Sequence, residues 1–211
     1  MTGIREHALL YAYIAGTVLE DCDQEKGEQL IQEITVSYGV KRGQRMRAKA
    51  LENGETLDIT AYLAHGEWQG EPGENISTMA YRTDSAVSAV SRCAWHDTWH
   101  KAGMEEYGRY YCRYIDQALC EGFGGSFRLQ IPQSMGRGDE RCEFVWSQAA
   151  DEKAVSARRE SLGEGRILPF SFHCHELAEC AVMTLRKEGF PETAEKVIKQ
   201  YEKLTGASFE E

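Results

Sequence analysis

Residues 126–149 read SFRLQIPQSMGRGDERCEFVWSQA, two runs of strand-forming side chains on either side of the turn-forming GRGDE. That pattern predicts a β-hairpin over 127–147. Pro132 has no N–H to give to a ladder, so the first arm is expected at a sheet edge or at a bulge. Upstream, NISTMAYRTDSAVSAVSRC (75–93) is dominated by Ser, Thr, Val and Tyr, with Ala86, Ser88, Val90 and Arg92 alternating against Val87, Ala89 and Ser91. Two more strands joined near Arg82–Ser85 would account for it.

Helical patterns flank this strand-rich middle. Ile4, Ala8, Tyr11, Ala15 and Val18 recur at helical spacing, with His7 beside that face. A turn at 21–27 leads to a second helix from about Glu28, with Leu30, Ile31 and Ile34 inward, continuing or restarting through 37–54. Gly39 and Gly43 are four apart, leaving one side of that helix bare so that another backbone or a ligand could approach closely. Residues 54–73 read as mostly irregular, with a strand or a short helix at 57–64. Helices are expected at 97–102 and 105–120, the second ended by Gly122–Gly125. A polar, helix-compatible connector follows the hairpin. Two amphipathic helices close the chain, one inward at Cys174, Leu177, Ala178, Ala181, Val182 and Leu185, the other opened by Pro191.

The expected architecture is α+β: an antiparallel sheet of about three to five strands with N- and C-terminal helices packed on it. It is read as a single domain over 1–211, with N-terminal helices at 1–53, sheet and central helices at 54–150 and a C-terminal helical hairpin at 170–206. A formal charge of -10 with no basic run argues against a nucleic-acid partner. The apolar patch near the N-terminus is too short and interrupted to span a bilayer, and no small-residue cleavage site follows it, so a cytoplasmic protein is expected. Seven cysteines without a secretory signal then read as reduced thiols. Exposed apolar helix faces are compatible with a homodimer.

Chemistry-bearing residues gather in three places. In SRCAWHDTWHKAG (91–103), His96 and His100 lie one helical turn apart behind Cys93. They could seat a divalent ion if further ligands came from elsewhere, or be solvated residues beside Trp95 and Trp99 covering apolar surface. No closed spacing such as CxxC occurs, so no cofactor is predicted and a bound divalent metal stays an alternative. On the 105–120 helix, Cys112 with Asp116 and Asp116 with Cys120 share a face, where a carboxylate beside a thiol could hold a water or take a proton. The bland alternative has Asp116 bonded to backbone or an arginine and Cys112 packed as a small apolar group. Cys142, opening the second hairpin arm, invites the same two readings. In FHCHELAEC (172–180), His173 and His175 face one way if the segment is extended, whereas a helix pairs His175 with Glu179 and Glu176 with Cys180.

Taken together, EQLIQEITVSYGVKRGQRM (28–46), RCAW (92–95), KAGMEEYGRYYCRYIDQALCEGF (101–123) and GRGDERCEF (136–144) resemble the L-2-amino-thiazoline-4-carboxylic acid hydrolase family of bacterial proteins. The resemblance is carried by Tyr38, Gly39, Arg42 and Gly43, by Cys93, by Cys112, Asp116, Gly122 and Phe123, and by Asp139, Cys142 and Phe144. It implies a small-molecule substrate, a cyclic amidine-like acid opened to an N-carbamoyl amino acid. Such a reaction needs attack by water, a stabilised tetrahedral intermediate, a proton for departing sulfur and a cation for the substrate carboxylate. Arg42, with Tyr38 nearby in sequence, is the candidate for the carboxylate. Asp116 could hold or deprotonate the water, and Cys93, Cys112 or Cys142 could be nucleophile or pocket wall. His173 or His175 could return the proton. The Gly-Asp-x-x-Cys-x-Phe hairpin among helices also looks like the vinyl-reductase-like domains, which implies a noncatalytic small-molecule sensor as the other reading.

Overall fold

The computed structural model describes residues 2–209. Their elements run α1 (Ile4–Asp21), α2 (Gln24–Glu52), α3 (Ile59–Ala64), β1 (Ile76–Tyr81), β2 (Ala86–Arg92), α4 (Ala94–Ala102), α5 (Glu105–Phe123), β3 (Leu129–Gln133), β4 (Cys142–Trp146), α6 (Glu152–Leu162), α7 (Phe170–Lys187) and α8 (Pro191–Thr205). This is an α+β fold. The chain divides into two compact units, one of Met1–Tyr38, Ala94–Ile115 and Pro169–Glu211, the other of Gly39–Cys93 and Asp116–Leu168. Among the described residues no helix is long and apolar enough to cross a membrane.

The first unit is helical. Its α1 is buried well beyond the face that periodicity marks, since Leu9, Leu10, Ala12 and Ile14 are covered along with Ile4, Ala8, Tyr11, Ala15 and Val18. The cause is company on several sides: α4, α7 and α8 all pack on α1, and α7 packs on α8. Each fully buried Leu, Ile or Val contributes about 1.5–3 kcal/mol. Polar ties such as Thr193 Oγ1 to Asp21 (2.9 Å) and Lys26 Nζ to Glu188 (2.9 Å) fix alignment and add little to stability.

In the second unit four antiparallel strands run in the order β1-β2-β4-β3. Trp146 pairs with Ala86 on one side and Leu129 on the other. Pro132 falls where expected: β3 is an edge strand and its register slips between Gln130 and Gln133. Met46, Ala50, Ile59, Ala61, Tyr62, Phe123 and Phe127 pack with Ala86, Leu129 and Trp146 into one apolar core. The segment at 57–64 is a short helix, α3, capped by Asp58, whose carboxylate accepts from Ala61 N at 2.8 Å.

Several boundaries differ from the sequence pattern. The second helix starts at Gln24 and runs unbroken to Glu52, 29 residues in all. Gly39 and Gly43 do not interrupt it, and at Gly43 the missing side chain is where α5 crosses. A Cβ there would lie 2.2 Å from Leu119 O, and one at Gly122 would lie 2.3 Å from Val40 O. Helix α4 begins at Ala94, three residues earlier than expected, and α5 continues through Gly122 to Phe123 before Gly124 turns left-handed (φ +65°).

Candidate functional site

Within the second unit, charge and thiol chemistry converge on Asp116. As a whole residue it is half-buried, yet its carboxyl end is stripped of water: burial pushes its pKa from 3.8 up to about 6, and the Arg42 guanidinium pulls back only part of that shift. Arg42 is itself 5% exposed. A carboxyl poised near neutrality has the proton affinity that acid–base chemistry at neutral pH requires.

Two thiols sense the same carboxylate. Burial raises the Cys142 pKa, with Met135 N–H working against it and Asp116 adding to it. Local chain geometry explains how Cys142 gets there. Gly138 is left-handed (φ +92°), Asp139 accepts from Ser134 N at 2.7 Å, and the turn so closed brings Met135 N to 3.3 Å from Cys142 Sγ. The Gly-Asp-x-x-Cys spacing thus builds the turn that holds the sulfur. Cys120 is pushed up to about 11 by burial; the Tyr62 hydroxyl and the Trp146 indole offset this in part, although Trp146 Nε1 does not reach hydrogen-bond geometry. Burial also carries Tyr62 well above its ordinary value. Cys120, Cys142 and Tyr62 are therefore protonated at neutral pH, fitted to donate weak hydrogen bonds or form a wall rather than to attack as anions.

Arg42 is set by what lies beyond it. Glu67, whose side chain is fully buried, receives Arg45 Nε at 2.7 Å and Nη2 at 2.8 Å in a fork, while Arg42 Nε stands 3.8 Å away. Arg42 also lines a cavity of about 400 Å³ that Tyr62, Glu67 and Leu119 help to form. Replacing Glu67 by Gln is expected to cost about 3 kcal/mol, the low end for breaking a buried pair, because Arg45 keeps a fifth of its side-chain surface in water. Urea titration of E67Q checks it. A loss under about 0.5 kcal/mol would mean the pair contributes little.

Of the residues that sequence singles out, Arg42, Cys93, Asp116 and Cys142 fall in the second unit and Tyr38, Cys112, His173 and His175 in the first. Electrostatic coupling joins Arg42, Asp116 and Cys142. Cys93 directly follows β2 and is half-buried. The 172–180 segment is helical within α7, so His173 and His175 diverge. His173 is buried and packs on the Phe170 and Phe172 rings, whereas His175 lies against Tyr201 and stacks on Phe209, with Nε2 at 3.2 Å from Phe209 O. Tyr38 belongs to a network around His7. Trp95 Nε1 donates to His7 Nδ1 at 3.0 Å, and since an indole N–H only donates, the His7 proton sits on Nε2 and is given to the Tyr38 hydroxyl at 3.0 Å. Trp99 likewise donates to Ala8 O at 2.7 Å, so both tryptophans of the 91–103 stretch serve the core. His96 and His100 stack in parallel with ring centres 6.5 Å apart, and His100 also meets Glu105. Among the described residues no group of three or more His, Cys, Asp or Glu side chains is placed to hold a metal ion.

Tyr62, Glu67, Arg45 and Trp146 escape sequence reasoning, because no periodicity marks 54–73 as functional and cross-strand neighbours have no fixed spacing. The i,i+4 relation of Asp116 to Cys120, the Gly-Asp-x-x-Cys turn at Cys142 and the family resemblance at Arg42 are the signals that point into this cluster. A family model described as L-2-amino-thiazoline-4-carboxylic acid hydrolase matches residues 3–146. Neither a search of curated proteins nor one of solved structures returns a match.

Proposed function

Since the chain belongs to the L-2-amino-thiazoline-4-carboxylic acid hydrolase family, we propose that it hydrolyses a small cyclic amidine-like acid of the 2-aminothiazoline-4-carboxylate type, giving an N-carbamoyl amino acid. The observation that carries this reading is the Asp116 carboxyl, raised to about 6 beside Arg42.

The chemistry follows from those two groups. At pH 7.5 Asp116 is mostly ionised and a stronger base than an ordinary carboxylate, so it takes a proton from water as the oxygen attacks the ring carbon between nitrogen and sulfur. Attack turns the carbon–nitrogen double bond into a single bond, and collapse of the tetrahedral adduct breaks the carbon–sulfur bond and leaves a carbonyl on that carbon, the hydroxyl's remaining proton passing to the ring nitrogen. The departing sulfur then receives the proton that Asp116 holds, which returns the carboxylate to its starting state. Arg42 takes the substrate carboxylate and keeps it in register with the water. Protonated Cys142 serves as a hydrogen-bonding wall. Direct attack by Cys142 is disfavoured because burial keeps its thiolate scarce. A role for Cys93, in the same unit, as nucleophile or wall completes this reading.

Purified protein incubated with 2-aminothiazoline-4-carboxylate should release one thiol per turnover, read with a thiol-specific chromophore. No thiol from the wild type would remove this substrate class. Release unchanged in Arg42→Gln would remove Arg42 from the carboxylate site, where the loss of a bidentate partner is expected to raise KM by about tenfold or more.

A further inference from the structure

Three guanidiniums, those of Arg42, Arg159 and Arg166, edge the cavity of about 400 Å³ in the second unit. Glu67 is in the same lining, takes the fork from Arg45 and stands 3.8 Å from Arg42 Nε, and Asp116 also acts on Arg42, so the acids are matched to Arg42 and Arg45. This concentration of positive charge stands out in a chain of net charge -10.

Two of the arginines are held in place by backbone rather than by acids. Arg159 donates through Nε and Nη2 to Leu63 O at 3.2 and 2.8 Å, and Arg166 donates through Nη1 to Gly66 O at 2.9 Å. Neither is paired with a carboxylate among the described residues. The Arg166 Nε is buried and has no hydrogen-bond partner there. Burial, and then the nearness of Arg159, lowers the Arg166 pKa, as expected for two like charges brought together without a counter-ion. Arg159 is exposed and Arg166 half-buried, so an anion entering the cavity meets both guanidiniums. Tyr62 and Trp68 give the same cavity aromatic surface.

From this geometry we infer that the cavity edged by Arg42, Arg159 and Arg166 binds a small organic anion carrying two negative charges, either two carboxylates or one phosphomonoester. Arg159 and Arg166 come from α6 and the segment after it, beyond the residues that the family model matches. They are positioned to set which acid this particular chain accepts. Binding there requires no turnover, so it is independent of the hydrolytic reading, with which it shares Arg42.

Calorimetry at low salt with phthalate, phenyl phosphate, benzoate and benzamide tests it on the full chain. At least one of the two dianions is expected to bind about 10- to 100-fold tighter than benzoate, and benzamide not measurably. Which of the two is preferred assigns the acid type. In the Arg159→Gln/Arg166→Gln double variant that preference should collapse to within about threefold, with the far-ultraviolet spectrum unchanged. Should the double variant fail to fold, phenylglyoxal labelling of the wild type takes its place, and the preferred dianion should protect the Arg159 and Arg166 peptides. Equal affinity of all three anions, a preference that survives the double substitution, or unprotected peptides would overturn the proposal. Dianion binding without thiol release would support it while removing the hydrolytic reading.

Discussion

Asp116→Asn is expected to cut turnover by about three orders of magnitude and, at the same time, to stabilise the protein at alkaline pH. Loss of a general base removes about a factor of a thousand in rate, the middle of the range for such groups. The stability gain follows from linkage. Unfolded, the Asp116 carboxyl titrates near 3.8; folded, it titrates at about 6. Its contribution to stability is thus most favourable below 3.8, declines as pH rises through about 6, and is then fully lost. The cost of holding the charge above that range is about 3 kcal/mol, since each pKa unit is worth about 1.36 kcal/mol. Asparagine resembles the protonated acid and escapes that cost. Melting curves at pH 8 and pH 3.5 should therefore show a clear gain for D116N at the first and none at the second. A gain of stability coupled to a loss of function marks a charge kept for chemistry. Wild-type kcat/KM should fall on the acid side with a midpoint near 6, and D116N destabilised at pH 8 would mean that the carboxylate is a structural ion-pair partner.

The second large effect belongs to the crossing of α2 and α5. Gly43→Ala would put its Cβ 2.2 Å from Leu119 O and 2.6 Å from Phe123 N. Both are backbone atoms, so no rotamer relieves the clash and the two helices must separate. Alanine favours a helix over glycine by only about 1 kcal/mol, far below the penalty of overpacking backbone against backbone. We expect G43A to lose more than about 4 kcal/mol or to be recovered unfolded. Gly165→Ala is the control, because its Cβ would meet no atom within 4 Å, and its stability should stay within about 0.5 kcal/mol of wild type. Denaturant titration of the two variants decides the matter. A G43A protein within about 1 kcal/mol of wild type would mean that the helices do not cross there as closely as described.

How much of this is legible in the sequence depends on whether a signal is local. Gly43 already stood out as a bare patch on a helix, because i,i+4 spacing is all that reading requires. The hairpin, its Pro132 irregularity and the apolar face of α7 were likewise local patterns and hold in the structure. The continuity of α2 was not legible, because its apolar stripe fades past Ile34 and its glycines imitate a break. What keeps it helical is the partner at Leu119–Phe123, some 76 to 80 positions away. The same limit governs the site. Asp116 and Arg42 could be nominated as chemical types, but the burial that changes Asp116 comes from its folded surroundings. The fork that occupies Glu67 joins residues 22 apart. Arg159 and Arg166 sat in a stretch that read only as a polar connector, since backbone carbonyls of Leu63 and Gly66, invisible to any sequence pattern, are what aim them.

The titration of the Asp116 side-chain carboxyl, followed by its carbon-13 shift in aspartate-labelled protein with D116N identifying the resonance, is the most direct measurement available. A midpoint at about 6 is the expected result. A midpoint in the ordinary carboxylate range, near 4, would contradict it and leave Asp116 a solvated acid with no special fitness to activate water.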